Sequence, residues 1–126
     1  MIQREHIFAQ SAVNYEELKN TWLIATNENY DDWIWRIGNI ALLEHTINIG
    51  KAGNKTIWEK ADPYQQSAFK GTRALGQEII ALKKLIDAAL ATIAEQERAF
   101  ISQLPFKILL EIREMELLAF TFYRFA

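Results

Sequence analysis

The chain contains no cysteine among its 126 residues. Disulfides and cysteine-ligated zinc are therefore excluded, and a reducing compartment suits the sequence. Histidine is scarce as well, so any imidazole chemistry rests on His6 or His45. No uninterrupted apolar run approaches the roughly 20 residues that span a bilayer. No secretory leader opens the chain, because Arg4, Glu5 and His6 interrupt its first residues. A cytoplasmic protein with no membrane partner is the expectation. Charge is nearly balanced, 14 basic against 16 acidic side chains, which argues against a polybasic nucleic-acid binder.

Half of the residues are hydrophobic and 12% are aromatic, enough to bury a core, and the length fits one domain. The small net charge hides a gradient. Residues 1–35 hold two basic and six acidic side chains, a sum of −4. Residues 36–73 hold six basic side chains (Arg36, Lys51, Lys55, Lys60, Lys70 and Arg73) against Glu44, Glu59 and Asp62, a sum of +3. The middle is locally basic, although such a window is commonly surface scatter.

Short elements alternate with polar punctuation in the first half. Residues 3–10 read as a strand or extended segment. Asn14 followed by Glu17 resembles a capping box, opening a helix to about Trp22 or Ile24. Residues 30–36 read as a short helix or turn that packs one of Trp33 and Trp35 inside. A second strand is expected at about 39–44, between Asn39 and Asn48, followed by a glycine-containing loop at 48–54. A short helix over 55–61, capped by Asn54, ends before Pro63, since the residue before a proline avoids the helical region.

From Gln65 the pattern is helical. Leu75, Ile79, Leu82, Ile86, Ala89, Ile93 and Phe100 form a stripe at alternating steps of four and three. Residues 102–105 interrupt it, and a last helix is expected at about 105–123. That helix is apolar on nearly every side, from Ile108 to Phe122. Either the remainder of the chain covers it or it is an interface, in a homo-oligomer or with a partner chain or domain.

One constellation carries chemistry. Glu5 and His6 adjoin at the end of a strand, where neighbouring side chains face opposite ways, so the pair needs a twist to converge. The oxygens of Glu5 and Asn48 are hard ligands suited to magnesium or manganese. A site with two protein ligands leaves room for water and phosphate oxygens, and an imidazole titrating near neutrality is able to take a proton from an attacking water. A lone histidine is nonetheless more often structural than catalytic.

The blocks Glu5-His6-Ile7-Phe8-Ala9-Gln10, Trp33 to Arg36, Ile37-Gly38-Asn39-Ile40-Ala41-Leu42-Leu43-Glu44, Ile47-Asn48, Gly53-Asn54-Lys55, Trp58-Glu59-Lys60, Tyr64 and Ser67 together resemble the HNH nuclease domain of GmrSD-type modification-dependent restriction enzymes. The first block also resembles the acid–His–Ile–x–Pro–Gln motif of the HNH domain in RNA-guided CRISPR nucleases. No block is specific alone; their order and spacing are. The resemblance covers about residues 4–75. It implies an α+β, mostly helical chain, with a small ββα-metal core over 1–75 and a helical extension over 76–126 that packs on the core or on a partner. It implies a DNA endonuclease serving in restriction or phage defence, with His6 as general base and Asn39 shaping the loop around it. Glu5 and Asn48 would be ligands of a single Mg2+ or Mn2+, and Lys51, Lys55 and Lys60 would be phosphate contacts. His45 is left as a structural or surface residue. Ala9 stands where the family usually has proline, and the motif begins unusually close to the first residue. The alternative is a catalytically degenerate HNH-like interaction module acting through its apolar C-terminal helices.

Overall fold

A computed structural model describes residues 2–11, 14–48 and 52–125, the side chains of 95–103 and 121–125 excepted. The fold is α+β and mostly helical. Strand β1 (Ile2–His6) pairs antiparallel with β2 (Ile40–Glu44), with His6 opposite Ile40 and Ile2 opposite Glu44. Between them lie α1 (Tyr15–Thr26), α2 (Tyr30–Trp33) and a 3-10 turn at Ile37–Asn39. After β2 come α3 (His45–Ile47), a 3-10 turn at Trp58–Lys60, α4 (Ala61–Gln65), α5 (Lys70–Leu90) and α6 (Glu95–Phe125). Among the described residues no helix is long and apolar enough to cross a membrane.

The first strand ends earlier than its apolar run. Beyond His6 the backbone leaves the sheet and turns inward, and Ile7, Phe8 and Ala9 are buried. Phe8 enters an aromatic cluster with Trp22 and Trp33, whose ring centroids lie 5.2 and 5.6 Å away, and Trp22 in turn meets Tyr30 at 5.5 Å. Edge contacts of this kind suit the ring quadrupoles. Trp33 is the buried indole of the 30–36 segment, while Trp35 is 59% exposed. Asn14 precedes α1 without a side-chain capping bond, and its Oδ1 is buried without a partner. The cap that does form is Asn29, whose Oδ1 accepts from the Asp31 amide at 3.0 Å.

Both prolines sit inside helices rather than ending them. Pro63 occupies the first turn of α4, where amide groups lack intrahelical acceptors in any case. Helix α4 therefore continues to Gln65, and the expected 55–61 helix is only the turn at Trp58–Lys60. Pro105 lies in the interior of α6, which runs unbroken from 95 to 125. The interruption instead falls at 91–94, where α5 ends. The long stripe is accordingly split between two helices. Leu75, Ile79 and Ile86 are its buried members on α5, and Ala89 is exposed.

Helix α6 covers the turn that precedes β2. Phe106 and Leu110 are fully buried. A Cβ built on Gly38 would lie 2.3 Å from the Leu110 carbonyl oxygen, so only glycine permits this approach. Glu114 accepts from the Gly38 amide at 3.2 Å and from Arg36 Nε at 3.2 Å, and Arg113 Nη1 donates to the Gly38 carbonyl at 3.0 Å. The helix is thus apolar on two sides with different fates. Ile108, Ile112, Met115, Leu118 and Phe120 remain exposed.

Candidate active site

The turn after β1 and the start of β2 are tied together by one side chain. Asn39 Oδ1 accepts from the Phe8 amide at 2.7 Å, and its Nδ2 donates to the carbonyls of Phe8 at 3.0 Å and Ile34 at 2.9 Å. The Asn39 carbonyl accepts from the Ile7 amide at 2.9 Å. Asn39 is wholly buried, so all these bonds are made where water cannot compete. The Ala9 carbonyl is held by the Tyr30 hydroxyl at 2.5 Å. A buried tyrosine thus restrains the backbone at Ala9.

These contacts set the position of His6 at the strand's end. Its ring meets Trp35 edge-on with centroids 4.6 Å apart. Its Nε2 is buried and has no hydrogen-bond partner, as is also true of Asn14 Oδ1, Trp22 Nε1, Trp33 Nε1 and His45 Nδ1. Desolvation lowers the imidazole pKa, and the cations Lys60 and Arg4 lower it further. Both effects favour the neutral ring, the form able to accept a proton.

Glu5 points to the other side of the pleat and is 4% exposed. One carboxylate oxygen accepts from Lys60 Nζ at 2.9 Å, and the other from the Tyr64 hydroxyl. Lys60 Nζ also donates to the His6 carbonyl at 2.5 Å. Burial pushes the Glu5 carboxyl up and the Lys60 ammonium down, while each partner's charge opposes the shift in the other. Two directed donors fix the orientation of the carboxylate. A carboxylate has about four acceptor positions, so Glu5 retains capacity for a further ligand.

A cavity of about 150 Å3 at the end of the strand is lined by Arg4, Glu5, His6, Asn48 and Asn54 among others. Asn48 Nδ2 donates to Gln3 Oε1 at 3.0 Å, a bond that does not use its own oxygen. Among the described residues there is no group of three or more histidine, cysteine, aspartate or glutamate side chains that could hold a metal ion. The oxygen donors among the lining side chains are the Glu5 carboxylate and the amides of Gln10, Asn48 and Asn54. That hard set fits a magnesium or manganese ion that keeps water or phosphate as its other ligands, and does not fit zinc.

The structure therefore brings Glu5, His6 and Asn48 to one cavity, and Asn39 is not among its lining residues but holds the turn that follows His6. Lys55 is exposed, and Lys51 lies outside the described residues. Lys60 is fully buried and is no phosphate contact: its ammonium is committed to Glu5 and the His6 carbonyl. Helical i,i+4 spacing puts Lys60 and Tyr64 on one side of their turn, and that spacing was the one available sign that they act together. Arg4, exposed at the cavity's edge, is the cation that reasoning from the basic middle window missed. His45 begins α3, and its Nδ1 is buried without a partner; it does not line the cavity, although its carbonyl accepts from the amide of Asn48, which does.

Residues 1–101 match the family model described as GmrSD restriction endonucleases, C-terminal domain. No curated protein and no solved structure matches the chain.

Proposed function

This chain belongs to the family of GmrSD restriction endonuclease C-terminal domains, and from that premise we propose that it hydrolyses DNA phosphodiester bonds as an HNH-type nuclease, with His6 as the general base. The observation that carries the reading is the His6 imidazole: neutral by environment, unpartnered at Nε2, and lining one cavity with Glu5 and Asn48. An unpaired buried nitrogen is costly unless a ligand or reacting group completes it.

Each side chain then has a task. His6 accepts the proton of the water that attacks phosphorus. Asn39 holds the backbone on both sides of the turn, and so holds the ring. Glu5 and Asn48 are the side chains that would hold a magnesium or manganese ion. Such an ion, when bound, supplies Lewis-acid stabilisation of the charge developing on the phosphoryl oxygens. Lys60 and Tyr64 keep the Glu5 carboxylate oriented, as outer partners of a ligand commonly do. Arg4 lines the cavity and meets a phosphate there, and the exposed Lys55 follows the lining residue Asn54 in sequence.

A second reading has its own observation. The exposed apolar side of α6, from Ile108 to Phe120, suits a non-catalytic interaction module built on the same scaffold. Cleavage separates the two. The wild-type chain with magnesium or manganese is expected to nick supercoiled DNA, and His6→Ala to lose the activity by a factor on the order of 10²–10⁴, with its circular dichroism unchanged. A wild type that cuts nothing in either ion, or a His6→Ala protein that cuts equally well, refutes the catalytic reading.

A further inference from the structure

A second cleft adjoins the first. It measures about 430 Å3 and is lined by Gln10, Ser11, Tyr15, Asp31, Ile34 and Trp35. Gln10 also lines the cavity that holds Glu5 and His6, so the two share a wall. Trp35 stands between them, its ring against the His6 ring and 59% exposed. The aromatic core does not account for this indole. Trp22, Tyr30 and Trp33 fill that cluster, while Trp35 keeps most of its surface in solvent beside the candidate base.

The chemistry of the lining selects among ligands. The Asp31 carboxylate accepts from the Tyr15 hydroxyl at 2.5 Å and pairs loosely with Lys19 at 3.4 Å. Among the described residues no arginine or lysine lines the cleft itself, and the cation beside it, Lys19, is paired with Asp31, so the lining does not select for a phosphate. A flat apolar face, one carboxylate acceptor and one side-chain amide instead match a heterocycle that carries an amino group. Indole faces stack on bases of any sequence when the face of the base is free, and a base inside a duplex has neighbours on both of its faces. The ligand is therefore a base in a single strand, or one turned out of the helix.

We propose that this cleft is a subsite for an unpaired nucleobase next to the phosphate at His6, stacked on Trp35 with its amino edge toward Asp31. The assignment rests on the hydrolytic reading of the His6 cavity for the position of that phosphate. Its consequence is a preference for DNA that is single-stranded, or distorted enough to release one base, over an intact duplex.

Binding tests it without any turnover. The probes are a short fluorescent oligodeoxycytidylate and a strand of the same length whose residues are all abasic, titrated by anisotropy without divalent ions. Wild type is expected to bind the cytidylate about tenfold or more tighter than the abasic strand, the equivalent of about 1.4 kcal/mol or more and within the range for one stacked base. Trp35→Ala is expected to reduce cytidylate binding to the abasic level, and Trp35→Tyr to retain most of it. Equal binding of the two strands by wild type, or undiminished cytidylate binding by Trp35→Ala, overturns the subsite. The abasic comparison needs no substitution, so a folding defect in Trp35→Ala does not remove the test. The two readings fail separately. If no DNA is cut but cytidylate binding still depends on Trp35, the hydrolytic reading falls and the subsite stands. If His6-dependent cutting is found and Trp35→Ala binds like wild type, the subsite falls alone.

Discussion

A buried carboxylate needs a counter-charge, and among the described residues Lys60 supplies it for Glu5. Lys60 approaches it from 55 residues away in sequence, and the two side chains are buried. Removing one partner of such a pair leaves the other charged and unsolvated. Lys60→Met is therefore expected to destabilise the fold by about 3–5 kcal/mol. Adding Glu5→Leu is expected to recover much of that loss, since a buried pair replaced by apolar groups is often close to neutral. Chemical denaturation of the two single variants and the double variant measures the coupling, and strictly additive losses would contradict the pairing. The adjacency of Glu5 and His6 was legible in the sequence because the two are covalent neighbours. The assignment of Lys60 to phosphate was not sound, because a charge count over a window carries no information about which way a lysine faces. Asn39 was recognisable as a shaper of the loop, but its acceptors at Phe8 and Ile34 emerge only when the turn is folded.

At the level of elements, the turn at Ile37–Asn39 is held from two directions. The Asn39 side chain binds it to the exit of β1, and α6 clamps it from outside through Glu114, Arg113 and the close approach of Leu110 to Gly38. Gly38→Ala forces a methyl group into a backbone carbonyl and is expected to cost about 1–3 kcal/mol in thermal or chemical unfolding. Unchanged stability would show that the helix yields easily. Glu114 makes the clamp sensitive to acid. The Arg36 guanidinium holds its carboxyl below the usual carboxylate range. The folded form thus binds the proton less readily than the unfolded chain, so this stabilisation is present above pH 4.5 and is lost as pH falls through the lower folded value. Glu114→Gln is expected to flatten the fall of stability with acid below that point, as read from the denaturation midpoint at successive pH values. A variant with the wild-type profile would exclude this contribution. The sequence disclosed both strands and the α5 stripe, because period-two and period-3.6 patterns are local. It misplaced the helix breaks, because a proline breaks a helix only where the lost amide bond and the ring cannot be accommodated. In α4 that amide is not needed, and in α6 packing by Phe106 and Leu110 continues the helix just beyond Pro105.

Across the whole molecule, support for the candidate site extends beyond the segment that the family model matches. That match ends at residue 101, whereas the groups that clamp the Asn39 turn lie at 110, 113 and 114. The C-terminal helix is in that sense part of the site's scaffold, and its opposite face, from Ile108 to Phe120, stays exposed. The proposed hydrolysis rests on one imidazole held by all of these elements. Its most direct test is chemical rescue. His6→Gly empties the space of the ring, and supercoiled DNA is then incubated with that variant and magnesium or manganese, with and without added imidazole. General-base catalysis by His6 predicts nicking by wild type, none by the variant alone, and recovery that rises with the concentration of neutral imidazole. Wild-type cleavage that survives His6→Gly without imidazole would contradict the central claim.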